Sequence, residues 1–214
     1  MESEKIKIYT EDSRYLGIAA REDIHRQGHW HQTFHCWFIS RRDGKTWIHL
    51  QLRSGAKKDF PYLFDITAAG HILSTETVAD GVREVKEELG IAVEFEDLVP
   101  LGIIKDQIHQ AGFIDNEHCH NFLYRVNENS DLRFELQIEE VTGMVSAEFQ
   151  AFSDLCKGKR ERIAVEGFEI EGDGTVERLT KTISKNDLVP HSSSYLEQVA
   201  IRIQQVLEKD GFLK

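Results

Sequence analysis

Cysteine, positive charge and long hydrophobic runs are all scarce in this sequence. No apolar run approaches the roughly 18 residues that a membrane-spanning helix needs, so we expect no membrane partner. The first residues lack the basic-then-apolar order of a secretory signal, and we therefore expect a cytosolic, cytoplasmic protein. The three cysteines, Cys36, Cys119 and Cys156, form no CxxC pair. This spacing favours buried free thiols over a disulfide framework.

The charge balance is acidic, with 26 lysines and arginines against 37 aspartates and glutamates and a formal net charge of -11. Such a chain repels the phosphates of nucleic acids, so we expect no nucleic-acid partner. An acidic protein that handles phosphate groups needs divalent cations to supply the positive charge. The length of 214 residues fits one domain with an extension.

Two segments carry clear local signals. Residues 33–39 are predicted to form a strand because they are rich in aromatic and β-branched side chains. Residues 46–53 alternate between apolar and polar side chains, as a second strand does, and Asp43-Gly44 between them is typical of a tight hairpin turn. A helix is predicted from about Thr77 to Leu89, where Gly90 ends it.

The rest of the chain reads mainly as strands, with a final helix that starts after Pro190 and runs to about Lys209. Ser192, Ser193 and Ser194 are the candidate N-caps of that helix. This mixture predicts an α+β fold, a sandwich in which helices cover a mixed β-sheet. The other predicted elements are strands at 64–69, 91–95, 99–108 and 119–126, a strand within 138–155 before a short helix at 153–155, and a hairpin of 161–170 with 175–183.

The predicted helix at 77–89 separates its side chains by chemistry. Its apolar residues fall on one side, and Glu84, Glu87 and Glu88 fall together on the opposite side. Three carboxylates this close repel one another unless a positive charge lies among them, and hard oxygen ligands suit Mg²⁺ or Mn²⁺. The alternative is a solvated acidic face. Arg83, which precedes the cluster and can orient a carboxylate, favours the metal site.

The stretch from Arg83 to Ile91 resembles the second half of a Nudix box, whose pattern is G-x5-E-x7-R-E-U-x-E-E-x-G-U with U a bulky aliphatic residue. Gly70 and Glu76 match the first half, but six residues instead of seven separate Glu76 from Arg83. The role of Glu76 in bracing that arginine therefore stays open. The resemblance implies a Nudix-type α/β/α sandwich in a single domain over 1–214, with a core at about 15–155 and a hairpin-plus-helix extension at about 156–214.

By this resemblance, the chain is a hydrolase that cleaves the diphosphate linkage of a nucleotide-like or other organic small molecule. Glu84, Glu87 and Glu88 would hold Mg²⁺ or Mn²⁺ together with the backbone of Ala69. Arg83 would orient Glu84. Either Glu84 or Glu117 would accept a proton from the attacking water. The resemblance also leaves room for a homodimer.

The upstream segments resemble the isopentenyl-diphosphate isomerase branch of Nudix proteins. They include His25, His31-Gln32-Thr33-Phe34 and Ala69-Gly70-His71, and downstream Asp115-Asn116-Glu117 is similar to that branch's acidic metal ligands. The branch places a proton-transferring cysteine where this chain has Ala69. Alanine exchanges no proton with carbon, so the resemblance here implies hydrolysis.

Several further residues are candidates with a structural alternative. Arg53 and Lys58 would bind a substrate phosphate, although surface ion pairs are the common role of such residues. Gly70 and His71 would contact substrate or metal. Two other functions stay open: an isomerase of allylic diphosphates, and a non-catalytic nucleotide sensor that regulates a partner.

Overall fold

The computed structural model describes residues 4–127, 132–209 and 211, and within them eleven strands form one mixed sheet flanked by four α-helices. In chain order the elements are β1 (Lys5–Tyr9), β2 (Tyr15–Ala20), α1 (Arg21–Gln27), β3 (Trp30–Arg42), β4 (Lys45–Arg53), β5 (Phe64–Asp65), β6 (Ala68–His71), α2 (Arg83–Leu89), β7 (Val99–Gln110), β8 (Phe113–Arg125), β9 (Val141–Glu148), α3 (Phe149–Cys156), β10 (Ile163–Ile170), β11 (Val176–Ile183) and α4 (Ser193–Lys209).

Strand β3 is the centre of the sheet. It runs parallel to β8 and antiparallel to β1, β4 and β6. The register sets His31 opposite Glu117 on β8, and Thr33 opposite His71 on β6. Because β3 lies between these two strands, side chains distant in sequence meet along its first half.

The core lies on both faces of the sheet, as alternation along β3 requires. Trp37 and Ile39 pack in a cluster with residues of α3 and α4. Phe34 and Phe38 point to the other face, where Val85 and Leu89 of α2 cover them. Helices therefore cover both faces of a mixed sheet, and the predicted α+β sandwich is confirmed.

The local signals at the turns are confirmed. Asp43 and Gly44 both have positive φ, at 53° and 72°, and they join β3 to β4. Gly90 ends α2 in the left-handed region at φ 72°. The C-terminal hairpin forms as β10 and β11, and α4 follows with Ser192 accepting a hydrogen bond from the Tyr195 amide in the manner of an N-cap. All three cysteines are buried free thiols.

Several secondary-structure predictions were wrong or incomplete. The strand predicted at 64–69 is two short strands, β5 and β6, because the first pairs with β4 and the second pairs with β3. Residues 91–94 form no strand, although Ile91 and Val93 pack against the core, because their backbone meets no neighbouring strand among the described residues. The helix predicted from Thr77 starts as a 3₁₀ turn at Ala79–Val82 and becomes α-helical only at Arg83. Helix α3 begins four residues before 153. The elements β1, β2 and α1 were not predicted.

No helix among the described residues is long and apolar enough to cross a bilayer.

We predict that Gly90→Ala lowers the free energy of unfolding by about 1–3 kcal/mol. The added Cβ would occupy a left-handed backbone position and would contact the Glu135 side chain. Urea denaturation followed by circular dichroism measures the change. Gly172→Ala is the control, because a Cβ there meets no atom within 4 Å, and its effect should stay within about 0.5 kcal/mol. Equal stability of the two variants would contradict this account of the helix end.

Candidate active site

The backbone of β6 is in direct contact with the carboxylates of α2. The amide of Ala69 donates a hydrogen bond to Glu88 Oε2 at 3.1 Å, and Gln51 Nε2 donates to the same oxygen at 3.4 Å. Gly70 lies against Glu84, and a Cβ at position 70 would collide with that carboxylate. The glycine is therefore needed for close approach, and it lets two acidic side chains of α2 reach the strand.

Arg83 holds this arrangement together. Its Nε donates to Glu76 Oε1 at 2.6 Å, and its Nη2 donates to the backbone oxygen of His71 at 3.1 Å. Its Nη1 lies 2.7 Å from Glu84 Oε1 and 2.8 Å from Glu87 Oε2. One guanidinium thus contacts the strand and three carboxylates.

Glu76 fills the bracing position despite the shortened spacing to Arg83. Besides the arginine, its Oε2 accepts a hydrogen bond from the Leu73 amide at 2.8 Å. The intervening loop compensates through a tight turn in which the Thr77 amide and hydroxyl both donate to Asp80. The missing residue therefore does not displace the glutamate.

Burial disfavours the ionised form of two carboxylates on α2, Glu84 and Glu88. Burial raises the pKa of Glu84 to about 7, against the lowering effect of Arg83 and with a further rise from the charge of Glu87. Burial and then the charge of Glu84 raise the pKa of Glu88 well above its ordinary value. A cation bound at this face would relieve both costs.

Three histidines and two acids form a second cluster beside the first. Ring nitrogens of His25, His31 and His71 lie within 4.8 Å of one another, and His31 forms a similar group with Asp115 and Glu117. Asp115 Oδ1 lies 3.5 Å from His25 Nε2 and 3.4 Å from His31 Nε2. Helix α1 and strands β3, β6 and β8 each contribute at least one member.

The donor set of this histidine cluster fits a divalent cation. His25 Nε2, His31 Nε2 and Asp115 Oδ1 are buried without a hydrogen-bond partner in the part of the chain that the structure describes. The Nδ1 of His31 donates to the backbone oxygen of His29 at 3.1 Å, which leaves the Nε2 lone pair directed at the cluster. Burial lowers the pKa of His25 to about 4 and also lowers that of His31, so both rings are neutral near pH 7. Neutral imidazoles beside carboxylates are what divalent transition metals bind.

Both clusters face one cavity of about 290 Å³. Among the described residues that line it, nine are aspartates or glutamates and four are lysines or arginines. A phosphate group entering such an acidic cavity requires additional positive charge. The acids are Glu4, Asp59, Asp65, Glu84, Glu87, Glu88, Asp115, Glu117 and Glu140, and the bases are Arg21, Arg53, Lys57 and Arg83.

The basic residues differ in what they can offer a ligand. Arg53 lines the cavity, but its three nitrogens are held by Asp65 and by the backbone oxygens of residues 59 and 60, at 2.9 to 3.1 Å. Lys58 is exposed and lies outside the lining, whereas Lys57 lies inside it, paired with Glu140. Arg21, which sequence reasoning missed, lines the cavity and lies 3.7 Å from Glu4.

A buried ion network from the C-terminal region completes the wall. His191 Nε2 lies 3.0 Å from Asp65 Oδ1, and His191 Nδ1 lies 2.7 Å from Asp106 Oδ2. Burial alone would lower the pKa of His191, but hydrogen bonds to Asp106 and Asp65 raise it to about 10. The histidine is therefore a cation at neutral pH. No motif in the sequence indicated this network.

Comparisons with known proteins agree with the geometry. A model of the NUDIX domain matches residues 29–166. An uncharacterized Nudix hydrolase of Clostridium acetobutylicum is 39% identical over 199 residues, which cover 93% of this chain and 96% of that protein. A prenyl-diphosphate phosphatase of Methanosarcina mazei is 30% identical over 95 residues, covering 44% of this chain and 54% of that protein. A MutT/nudix family protein from Enterococcus faecalis superposes with a TM-score of 0.52 at 12% identity, covering 83% of this chain and 62% of that one, a likeness of fold alone.

We predict that His191→Leu destabilises the protein by about 3 kcal/mol at pH 6, because two buried aspartates lose their cation. The folded pKa of about 10 lies above the unfolded value of 6.5. The stability contributed by His191 is therefore complete below pH 6.5 and is lost as the pH rises through 10. Urea denaturation at pH 6, 8 and 10 should show the difference between wild type and variant shrinking. His29→Gln, on a partly exposed side chain outside the network, is the control. A difference that is constant with pH would refute the charged histidine.

Proposed function

Because the chain belongs to the Nudix family of hydrolases, which act on pyrophosphate bonds, we propose that it hydrolyses a small organic diphosphate using divalent cations held in the cavity. The observation that carries the proposal is the pairing of two cation-ligand groups around one acidic cavity. A cavity lined by so many carboxylates binds a diphosphate only when cations lie between the carboxylates and the phosphate groups.

The two groups differ in the cation they suit. Glu84, Glu87 and Glu88 offer oxygen ligands alone, which favours Mg²⁺ or Mn²⁺. The histidine cluster adds imidazole nitrogens, which favours Mn²⁺ or another transition metal. A divalent cation held there would neutralise phosphate charge and lower the pKa of the attacking water.

We assign different roles to Glu84 and Glu117 because their surroundings differ. Glu84 lines the cavity and lies 2.7 Å from Arg83 Nη1, so it is held in position to accept a proton from the attacking water. Burial would raise the pKa of Glu117, but the hydrogen bond and charge of His35 hold it below its ordinary value. We therefore assign Glu84 as the base, oriented by Arg83, and Glu117 as a cation ligand.

We assign the binding of the diphosphate to the basic residues in and near the cavity lining. Arg21 and Lys57 line the cavity, paired with Glu4 and Glu140 respectively. Arg53 contributes its charge, because its nitrogens are occupied by the protein. Lys58 acts at longer range, where its charge adds to the lowering of the His25 pKa.

The volume of the cavity favours a small substrate. About 290 Å³ lies at the lower end of the range for small-molecule sites, which begins at roughly 300 Å³. Phe60, Phe113 and Ile108 supply an apolar part of the lining. Since a relative is named a prenyl-diphosphate phosphatase, short prenyl diphosphates belong in the substrate panel beside nucleoside diphosphates.

An isomerase remains the second candidate because of the histidine cluster. Against it, Ala69 lines the cavity where the isomerase branch has a cysteine, and the methyl side chain of alanine has no exchangeable proton. We expect no isomerisation of isopentenyl diphosphate, and detection of dimethylallyl diphosphate by chromatography would favour this second function. Two further expectations, the homodimer and the cytosolic location, stay predictions.

We predict that Glu84→Gln lowers turnover by roughly 10²–10⁴-fold, because the proton acceptor and a cation ligand are lost together. Glu87→Gln should also abolish most turnover. Phosphate release from a panel of diphosphates with Mg²⁺ or Mn²⁺ measures both. Glu96→Gln, which removes an exposed charge outside the cavity, is the matched control. Near-wild-type rates in both variants would refute the assignment.

We predict that His31→Gln weakens Mn²⁺ binding at the histidine cluster by at least about tenfold, since a neutral nitrogen ligand is removed. Electron paramagnetic resonance of free Mn²⁺ during a titration measures the affinity without any assay of activity. His109→Gln, on an exposed side chain of β7, should leave binding unchanged. Identical titrations of wild type and His31→Gln would exclude the cluster as a cation site.

A further inference from the structure

We propose that the segment 188–199, which lies beyond the family match at 29–166, is a working part of the active site. In this proposal His191 positions Arg53 through Asp65, and Tyr195 positions Glu117 through His35. Both act through another residue, so they are positioning residues. The inference rests on the proposed diphosphate hydrolysis for its kinetic readouts, but not for its structural ones.

The segment is held in place at several points. Leu188 bridges to Phe64 of β5, and the Val189 amide donates to the Phe64 oxygen at 2.9 Å. The Ser192 amide donates to Asp106 Oδ1 at 2.9 Å. Tyr195 is fully buried at the start of α4. His191 therefore lies in the lining of the cavity on an anchored backbone, and the ring of Tyr195 lies beside it, with ring centroids 5.0 Å apart.

The first chain of contacts runs from His191 to the loop after β4. Asp65 binds His191 through Oδ1 and Arg53 through Oδ2. Arg53 in turn donates to the backbone oxygens of residues 59 and 60. The carboxylate of Asp65 is thus shared between His191, Arg53 and the Ile66 amide, which donates to Oδ1 at 2.8 Å. Losing His191 removes one of the three contacts that fix the orientation of this carboxylate toward the arginine.

The loop at 59–60 needs this support because its backbone is strained. Phe60 has a φ of 53°, a left-handed conformation that costs an aromatic residue free energy. Its side chain lines the cavity and packs edge-to-face against Phe113 with ring centroids 5.8 Å apart. The Arg53 hydrogen bonds hold this conformation and with it one wall of the substrate site.

The second chain of contacts runs from Tyr195 to Glu117. The Tyr195 hydroxyl donates to Asn121 Oδ1 at 2.8 Å, and Trp37 Nε1 donates to the same oxygen at 3.1 Å. Because its proton is committed there, the hydroxyl oxygen accepts from His35 Nδ1 at 2.6 Å. This bond sets the ring of His35, whose Nε2 lies 3.4 Å from Glu117 Oε2.

The two amide replacements of His191 test the first chain. A glutamine amide reaches the place of Nε2, beside Asp65, whereas an asparagine amide reaches only the place of Nδ1, beside Asp106. We expect His191→Asn to raise KM for the diphosphate roughly tenfold with little change in kcat, and His191→Gln to raise it much less. Equal KM values for the two variants would overturn the proposed role of His191. Changes in KM that are proportional to the loss of thermal stability, measured as Tm, would overturn it as well.

Limited digestion with trypsin tests the same chain of contacts without any assay of enzymatic activity. Lys57 and Lys58 lie in the supported loop, and Lys159 is an exposed reference site in another turn. Relative to cleavage after Lys159, cleavage after 57 or 58 should be several-fold faster in His191→Asn than in wild type. Arg53→Lys, which keeps the charge but loses the planar guanidinium, should reproduce this. An unchanged digestion pattern in both variants would overturn the proposed support of this loop by His191.

Tyr195→Phe tests the second chain by removing one hydroxyl from a buried ring. We expect kcat to fall roughly tenfold with KM little changed, and Mn²⁺ to bind the histidine cluster several-fold more weakly. Tyr15→Phe, at an exposed position, is the control. Unchanged kcat and Mn²⁺ affinity would overturn the proposed role of Tyr195. If wild type releases no phosphate from any diphosphate, the proposed function fails, while the digestion and the Mn²⁺ titration still decide this inference.

Discussion

The contact between the backbone of β6 and the carboxylates of α2 is the constraint on which the site depends. Gly70 has no side chain, so Glu84 lies directly against the strand, and the Ala69 amide binds Glu88. His71, next along the strand, turns its ring into the histidine cluster while its backbone oxygen binds Arg83. Three consecutive residues therefore join the carboxylates of α2 and the histidine cluster in one cavity, and a side chain at position 70 would separate them.

The electrostatics of the cavity follow from this contact. Burial raises the pKa of Glu84, Glu88 and Asp115, while the neutral histidines beside them keep unpaired nitrogen atoms. Such groups cost folding free energy in the absence of a ligand, since buried polar atoms without partners are unfavourable. A divalent cation bound among them, as proposed above, would remove this cost. In the His191 network, by contrast, the protonated histidine is itself the cation that balances Asp65 and Asp106.

Much of the fold was predictable because its signals are local. The Asp43-Gly44 hairpin and the end of α2 at Gly90 depend on the conformations of one or two residues. The Nudix resemblance also located Glu84, Glu87 and Glu88 correctly on one helix. The failure at 91–94 has the opposite cause. Its alternating residues do pack into the core, but a strand needs a neighbouring strand, and pairing is decided by the whole sheet.

The sequence by itself determined the family, the acidic helix and the chemical character of the site, because each is written in residue types at short spacing. Only the tertiary structure decided which distant side chains support that site. His191 binds Asp65 across 126 residues, and Tyr195 binds His35 across 160. It also decided that the nitrogens of Arg53 serve the protein and not a ligand. Hydrogen bonds of this kind depend on sheet register and helix docking, and neither leaves a periodic pattern along the chain.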